Sequence, residues 1–126
     1  MRLNPDCTRD LLMFLEEKTE PHSCLSYSPK EISEALPKYP IKELMYHVSQ
    51  CAESGMFLGY QEDCSGNFLI RDISPKAHEF LANIREDTVW NKTKGIAKDV
   101  GSNSLNALCQ IASSVITAAI QSKLGL

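Results

Sequence analysis

The sequence predicts an α+β domain in which two closely coupled helices are followed by a β-hairpin and a further helix. Three observations predict it. Asn4-Pro5, Ser28-Pro29 and Ser74-Pro75 each place a capping oxygen before a proline suited to the first helical position. Ile41 to Ala52 carries apolar residues at helical spacing and is closed by Gly55. Beyond Gly55 the apolar residues flank a polar segment, Gln61 to Asn67, as the arms of a hairpin flank its tip.

From Pro5 to about Lys18, the recurrence of Cys7, Leu11, Phe14 and Leu15 predicts a helix with one buried face and a charged face that includes Arg9 and Glu16. Thr19 to Ser26 reads as a polar linker, with a short strand possible over Leu25 to Tyr27. Ser28 and Glu31 have the spacing of a capping box, so a second helix starts there, with Ile32, Ala35 and Leu36 inward and Pro37 ending it. Lys38-Tyr39-Pro40 forms the turn. The third helix directs Ile41, Leu44, Met45, Val48, Cys51 and Ala52 inward and leaves Lys42, Glu43, Tyr46, Ser49, Gln50 and Glu53 outward. Phe57 to Ile73 predicts a hairpin with arms of six to seven residues and a loose tip. Ser74 caps a fourth helix that packs through Ala77, Phe80, Leu81 and Ile84. This order is that of a winged helix-turn-helix, expected over residues 1–86.

Residues 87–126 predict a C-terminal helical extension. Asp87 or Thr88 caps a helix with a Val89, Ile96, Val100 stripe, which stops at Gly101. A last helix starts after Ser102 or Ser104, and no Asp, Glu, Lys or Arg occurs from Val100 to Ser122. Its apolar arc is wider than the stripe of about 100° that a single packing partner covers. Leu105, Leu108, Ala112, Val115, Ile116 and Ala119 are therefore expected to drive homo-oligomerisation, with packing into the chain's own core as the competing reading. The amide and hydroxyl side chains along the other arc, and the lack of Lys or Arg there, argue against a membrane partner.

A chain of 126 residues can bury roughly two thirds of its unfolded surface and needs no covalent staples. The five cysteines are odd in number and contain no CxxC pair, and the polar start lacks a secretory pattern; both point to a reducing cytoplasm. Residues 1–87 hold nine Lys/Arg against fifteen Asp/Glu, a balance of −6, and residues 88–126 hold four against one, a balance of +3. An acidic N-terminal part disfavours affinity drawn mainly from phosphates.

Enzyme chemistry lacks a signature, because no nucleophile elbow, phosphate loop, dinucleotide fingerprint or zinc-protease motif is present. His22, His47 and His78 stand on a linker, a helix flank and a helix start, and His22-Ser23-Cys24 with Cys64 lacks the paired spacing of a zinc site. No metal or cofactor is expected. The expected function is regulatory: DNA binding by the 41–54 helix and the 61–72 wing, with Lys42, Tyr46, Ser49 and Gln50 toward base edges and Lys38, Lys30 and Arg71 toward phosphates. The alternative is a winged-helix adaptor or inhibitor that docks on a host protein and binds no DNA.

Val48-x-x-Cys51-x-x-x-Gly55-Met56 resembles the end of the recognition helix in bacterial winged-helix regulators, and Ile73 to Leu81 resembles their strand-to-helix exit. Leu3-Asn4-Pro5-Asp6, His78 to Arg85 and Val89 to Lys94 are similar to an uncharacterised family of small bacterial and prophage-encoded proteins. The resemblance implies a fold and a bacterial or prophage setting, and no activity.

Overall fold

All three proline-marked helix starts are capped by side chains. Asn4 accepts from the amides of Asp6 and Cys7, Ser74 accepts from Ala77, and Ser28 and Glu31 form a complete capping box. The computed structural model describes residues 1–126. Its elements are α1 Pro5–Lys18, β1 Leu25–Tyr27, α2 Pro29–Ala35, α3 Ile41–Glu53, β2 Phe57–Leu58, β3 Gln61–Glu62, β4 Phe68–Ile70, β5 Asp72–Ile73, α4 Pro75–Ile84, α5 Asp87–Val100 and α6 Leu105–Leu124. The architecture is thus α+β, with six helices and small antiparallel sheets.

Helix α3 ends as its sequence requires. Gly55 adopts φ +77°, the Gly55 amide donates to Ala52 O and the Met56 amide to Cys51 O, which satisfies two carbonyls the helix leaves open. The hairpin that follows is one register broken by a bend: Phe57 pairs with Ile73 and Leu58 with Asp72, then Gln61 with Leu69 and Glu62 with Phe68. The short strand β1 joins it, Leu25 opposite Ile70 and Tyr27 opposite Phe68, giving the order β1-β4-β3.

The tip differs from the loose turn expected. The Asp63 carboxylate accepts from the Ser65 and Asn67 amides and from Asn67 Nδ2, and these bonds hold its pKa below the usual carboxylate value. Gly66 has φ +85°, and a Cβ there would lie 3.1 Å from Pro29 Cγ. The tip is therefore a set loop lying on the start of α2, with Met45 of α3 also close.

The core runs through the whole chain. A single cluster joins Leu11, Leu12 and Leu15 of α1 with Leu44, Val48 and Cys51 of α3, Ile70 and Ile73 of the hairpin, Leu81 and Ile84 of α4, and Trp90, Leu108 and Ala112 beyond. A row of aromatic rings, Phe14, Tyr27, Phe68, Tyr60 and Phe57, connects α1 to both hairpin arms at centroid spacings of 5.6–6.2 Å. Tyr39, expected only as a turn residue, is buried and donates to Asp10 at 2.6 Å.

Helix α5 is rotated from the expected stripe. Trp90, Thr93 and Ala97 are its buried residues, whereas Val89 and Ile96 are half-buried and Val100 is 66% exposed. The cause is Trp90, whose ring must be buried and whose Nε1–H needs an acceptor. It donates to Asp6 Oδ1 at 2.8 Å, and Lys94 donates to the same oxygen at 2.9 Å. Arg9 and Lys94 both lie against the ring, 5.6 and 5.5 Å from its centroid. Arg9, expected on a solvated face, is largely buried and donates to Arg85 O and to Asp87.

Burial alone would raise the Asp6 pKa, but the bonds from Lys94 and Trp90, with the Lys94 charge, outweigh it and lower the value. A carboxyl with a lowered folded pKa adds stability above its unfolded value and loses it as pH falls through the folded one. The wild-type urea midpoint, followed by Trp90 emission, should therefore fall below about pH 4, and Asp6→Asn should make this fall shallower while lowering the midpoint at pH 7. Removing the cap oxygen with Ser28→Ala should cost about 1 kcal/mol in the same assay.

Candidate functional site

The outward surface of α3 is narrower than its helical wheel suggests. Leu44, His47, Val48 and Cys51 are fully buried, and Met45 and Ala52 are half-buried against the core. Ile41, expected inward, lies at the first turn of α3 and is 42% exposed. Lys42, Ser49 and Glu53 form the exposed crest, while Tyr46 and Gln50 are half-buried on one flank. That flank faces a groove of about 580 Å³ whose walls include Arg2, Asn103, Ser104 and Asn106. The N-terminal arm and the α5–α6 turn thus stand beside α3. Lys38 and Arg71 are exposed, the first with its ammonium 5.5 Å from the Tyr39 ring.

The cations of this region are free. Lys30, Lys38, Lys42, Arg71 and Arg2 have no carboxylate within 4 Å, since the ion pairs of the chain involve Arg9, His78, Arg85 and Lys94. Most neighbouring carboxylates are engaged within the chain. Glu31 accepts from Ser28 N, Glu43 from Asn4 Nδ2, Glu62 from the Tyr60 hydroxyl and Asp72 from Ile73 N. Only Glu34 and Glu53 between Ser28 and Ile73 lack such a bond.

The residues expected to drive self-association divide into two groups. Leu105, Leu108, Ala112 and Val115 are buried within the chain itself, because the first half of α6 packs on α4 and α5. This corrects the expectation that these four drive homo-oligomerisation and agrees with the competing one, packing into the chain's own core: the apolar arc is met by α4 and α5. Ile116 remains half-buried and Ala119 exposed, and with Ile120 and Leu124, 53% and 67% exposed, they continue as a stripe along the free half of α6. No helix is long and apolar enough to cross a membrane.

A cluster not anticipated from spacing lies where α1 begins. Cys7, Glu43 and His47 bring their ligand atoms within 4.8 Å of one another. Both ring nitrogens of His47 are engaged: Nε2 accepts from the Asn4 amide at 2.8 Å, and Nδ1–H donates to Glu43 O at 2.7 Å. Burial pushes the Cys7 thiol up to about 12, with Glu43 and Asp10 adding to it, so the sulfur is a neutral thiol at pH 7. In this arrangement His47 fastens the α1 cap onto α3, its ring bridging the Asn4 amide and Glu43 O. His47 was detectable in the sequence, since 44, 47, 48 and 51 make one helical stripe.

Residues 2–103 match the family described as Hypothetical protein (DUF2513), and the chain belongs to that family. It is 27% identical over 120 residues to an uncharacterized protein of Haemophilus influenzae, an alignment covering 93% of this chain and 97% of that protein. No solved structure matches it. A bacterial family of unknown function is thereby shown, and the family match ends at the α5–α6 turn. If the His47 fastening orders the start of α1, His47→Ala should leave the Asn4 amide without its acceptor and open a cavity. The expected result is a loss of about 2–4 kcal/mol in urea unfolding, with no change in metal content by elemental analysis.

Proposed function

We propose that this chain is a winged-helix DNA-binding regulatory factor acting in the cytoplasm, with a prophage origin consistent with its motifs. The observation that carries this reading is the exposed crest of α3, Lys42 and Ser49 with Glu53 at its C-terminal end, flanked by Tyr46 and Gln50, in a region whose cations lack carboxylate partners. The element order supports it as well: a helix, a short strand, two helices joined by a five-residue turn, then a hairpin on which the first strand pairs. A helix of about 10–12 Å diameter fits a DNA major groove of about 12 Å. Lys42 offers donors to guanine edges and Ser49 a hydroxyl to either kind of base pair, while Lys38 and Arg71 offer charge to phosphates.

Fluorescence anisotropy with random and genomic duplexes should detect binding at about 50 mM salt that weakens steeply as salt rises. Lys42→Ala should lower affinity about tenfold, the equivalent of about 1.4 kcal/mol. No binding by the wild type at low salt would overturn the proposal. One observation favours a second reading, a protein-docking adaptor: the wing places Glu62 and Asp63 at its tip end, against Arg71 alone. That reading predicts no anisotropy change with any duplex.

The stripe of Ile116, Ala119, Ile120 and Leu124 supports self-association through the free half of α6. Light scattering should give a mass above 14.1 kDa, and Ile120→Glu with Leu124→Glu should return it to the monomer value. A monomeric wild type would remove this part of the proposal. Truncation after Gly101 is not a suitable test, because it deletes Leu105, Leu108 and Ala112 from the core.

A further inference from the structure

We infer that the groove between α3, the N-terminal arm and the α5–α6 turn seats the phosphodiester backbone of one DNA strand, an inference that rests on the DNA-binding reading above. The polar part of its lining includes Arg2, Tyr46, Gln50, Asn103, Ser104 and Asn106, and its lining contains no carboxylate although the chain as a whole carries −3. These are side chains of the kind that contact phosphate and sugar oxygens, with one fixed positive charge among neutral donors. Leu105, only 4% exposed, anchors the turn to the core beneath them.

Placement decides which part of DNA would meet this groove. A helix nearly as wide as the major groove brings its two flanks against the two phosphate walls. One flank of α3 is occupied by the tip of the hairpin, where Gly66 lies close to Pro29 and Met45. The other flank is Tyr46 and Gln50, and it opens onto the groove. Tyr46 and Gln50 are thereby assigned to backbone positioning, and the crest residues Lys42 and Ser49 to base edges. Glu43, on the same helix, accepts a bond from Asn4 Nδ2.

The test compares the full-length protein with Arg2→Gln, with Asn103→Glu plus Asn106→Glu, and with Lys42→Ala, using anisotropy against several duplexes over a salt series. Arg2, Asn103 and Asn106 are exposed, and circular dichroism with Trp90 emission checks the fold of each variant. Arg2→Gln should reduce the slope of log affinity against log salt by about one. The double charge variant should weaken binding at least about tenfold by a similar factor for every duplex, whereas Lys42→Ala should change the preference among duplexes. If both groove variants keep the wild-type affinity and slope while Lys42→Ala weakens binding, the groove inference falls and the DNA reading stands. If the wild type binds no duplex, both fall.

Discussion

The Asp6 carboxylate is the contact on which the arrangement of the two ends of this chain depends. It sits in the first turn of α1, where a negative charge is favoured by the helix dipole, and a single oxygen accepts from both Trp90 and Lys94. Arg9, one turn on, covers the same indole and reaches the α4–α5 junction through Arg85 O. These bonds fix the rotation of α5. Rotation of α5 in turn fixes where its C-terminal turn delivers α6, and so which wall stands beside α3. The arrangement has a cost, because Arg9 Nε is buried without a hydrogen-bond partner. The Trp90 ring and two donated bonds from the same guanidinium offset it.

Much of the fold was legible because its boundary signals are local. Asn4, Ser28, Ser74 and Ser104 act on amides within three residues of themselves, and Gly55 and Gly101 act within one turn, so sequence spacing contains the whole interaction. The rotation of α5 was not legible for the opposite reason. Val89, Ile96 and Val100 make a good stripe by hydropathy, but the indole of Trp90 found its acceptor 84 positions away, and a distant hydrogen bond leaves no periodic trace. The partners of His47 and Tyr39 were hidden likewise, since Asn4 caps α1 and Asp10 lies on α1, far along the chain from both.

At the candidate site, residue types were legible and their geometry was not. The sequence placed Tyr46 and Gln50 with Lys42 and Ser49 on one outward face, and all four do avoid the core. What spacing could not contain is the α5–α6 turn standing against two of them, since that depends on the Asp6 contact. The set tip of the hairpin was hidden in a similar way: Asp63, Ser65, Gly66 and Asn67 read as mobile turn residues, yet their short polar side chains and amides close on one another.

Charge gives the DNA reading a particular form. Between Ser28 and Ile73 four Lys/Arg stand against seven Asp/Glu, a surplus that repels a polyanion at long range. Such a surface weakens sequence-independent binding, which is almost wholly electrostatic and is strongest at low salt. Close contact is different, because the outcome there depends on which groups present free donors. Lys42, Ser49 and Gln50 present theirs outward, while Glu31, Glu43, Glu62 and Asp63 turn oxygens toward donors of their own chain. An acidic frame around a polar crest therefore favours selectivity over raw affinity, and a second subunit joined through α6 would recover affinity by pairing two such crests on one duplex.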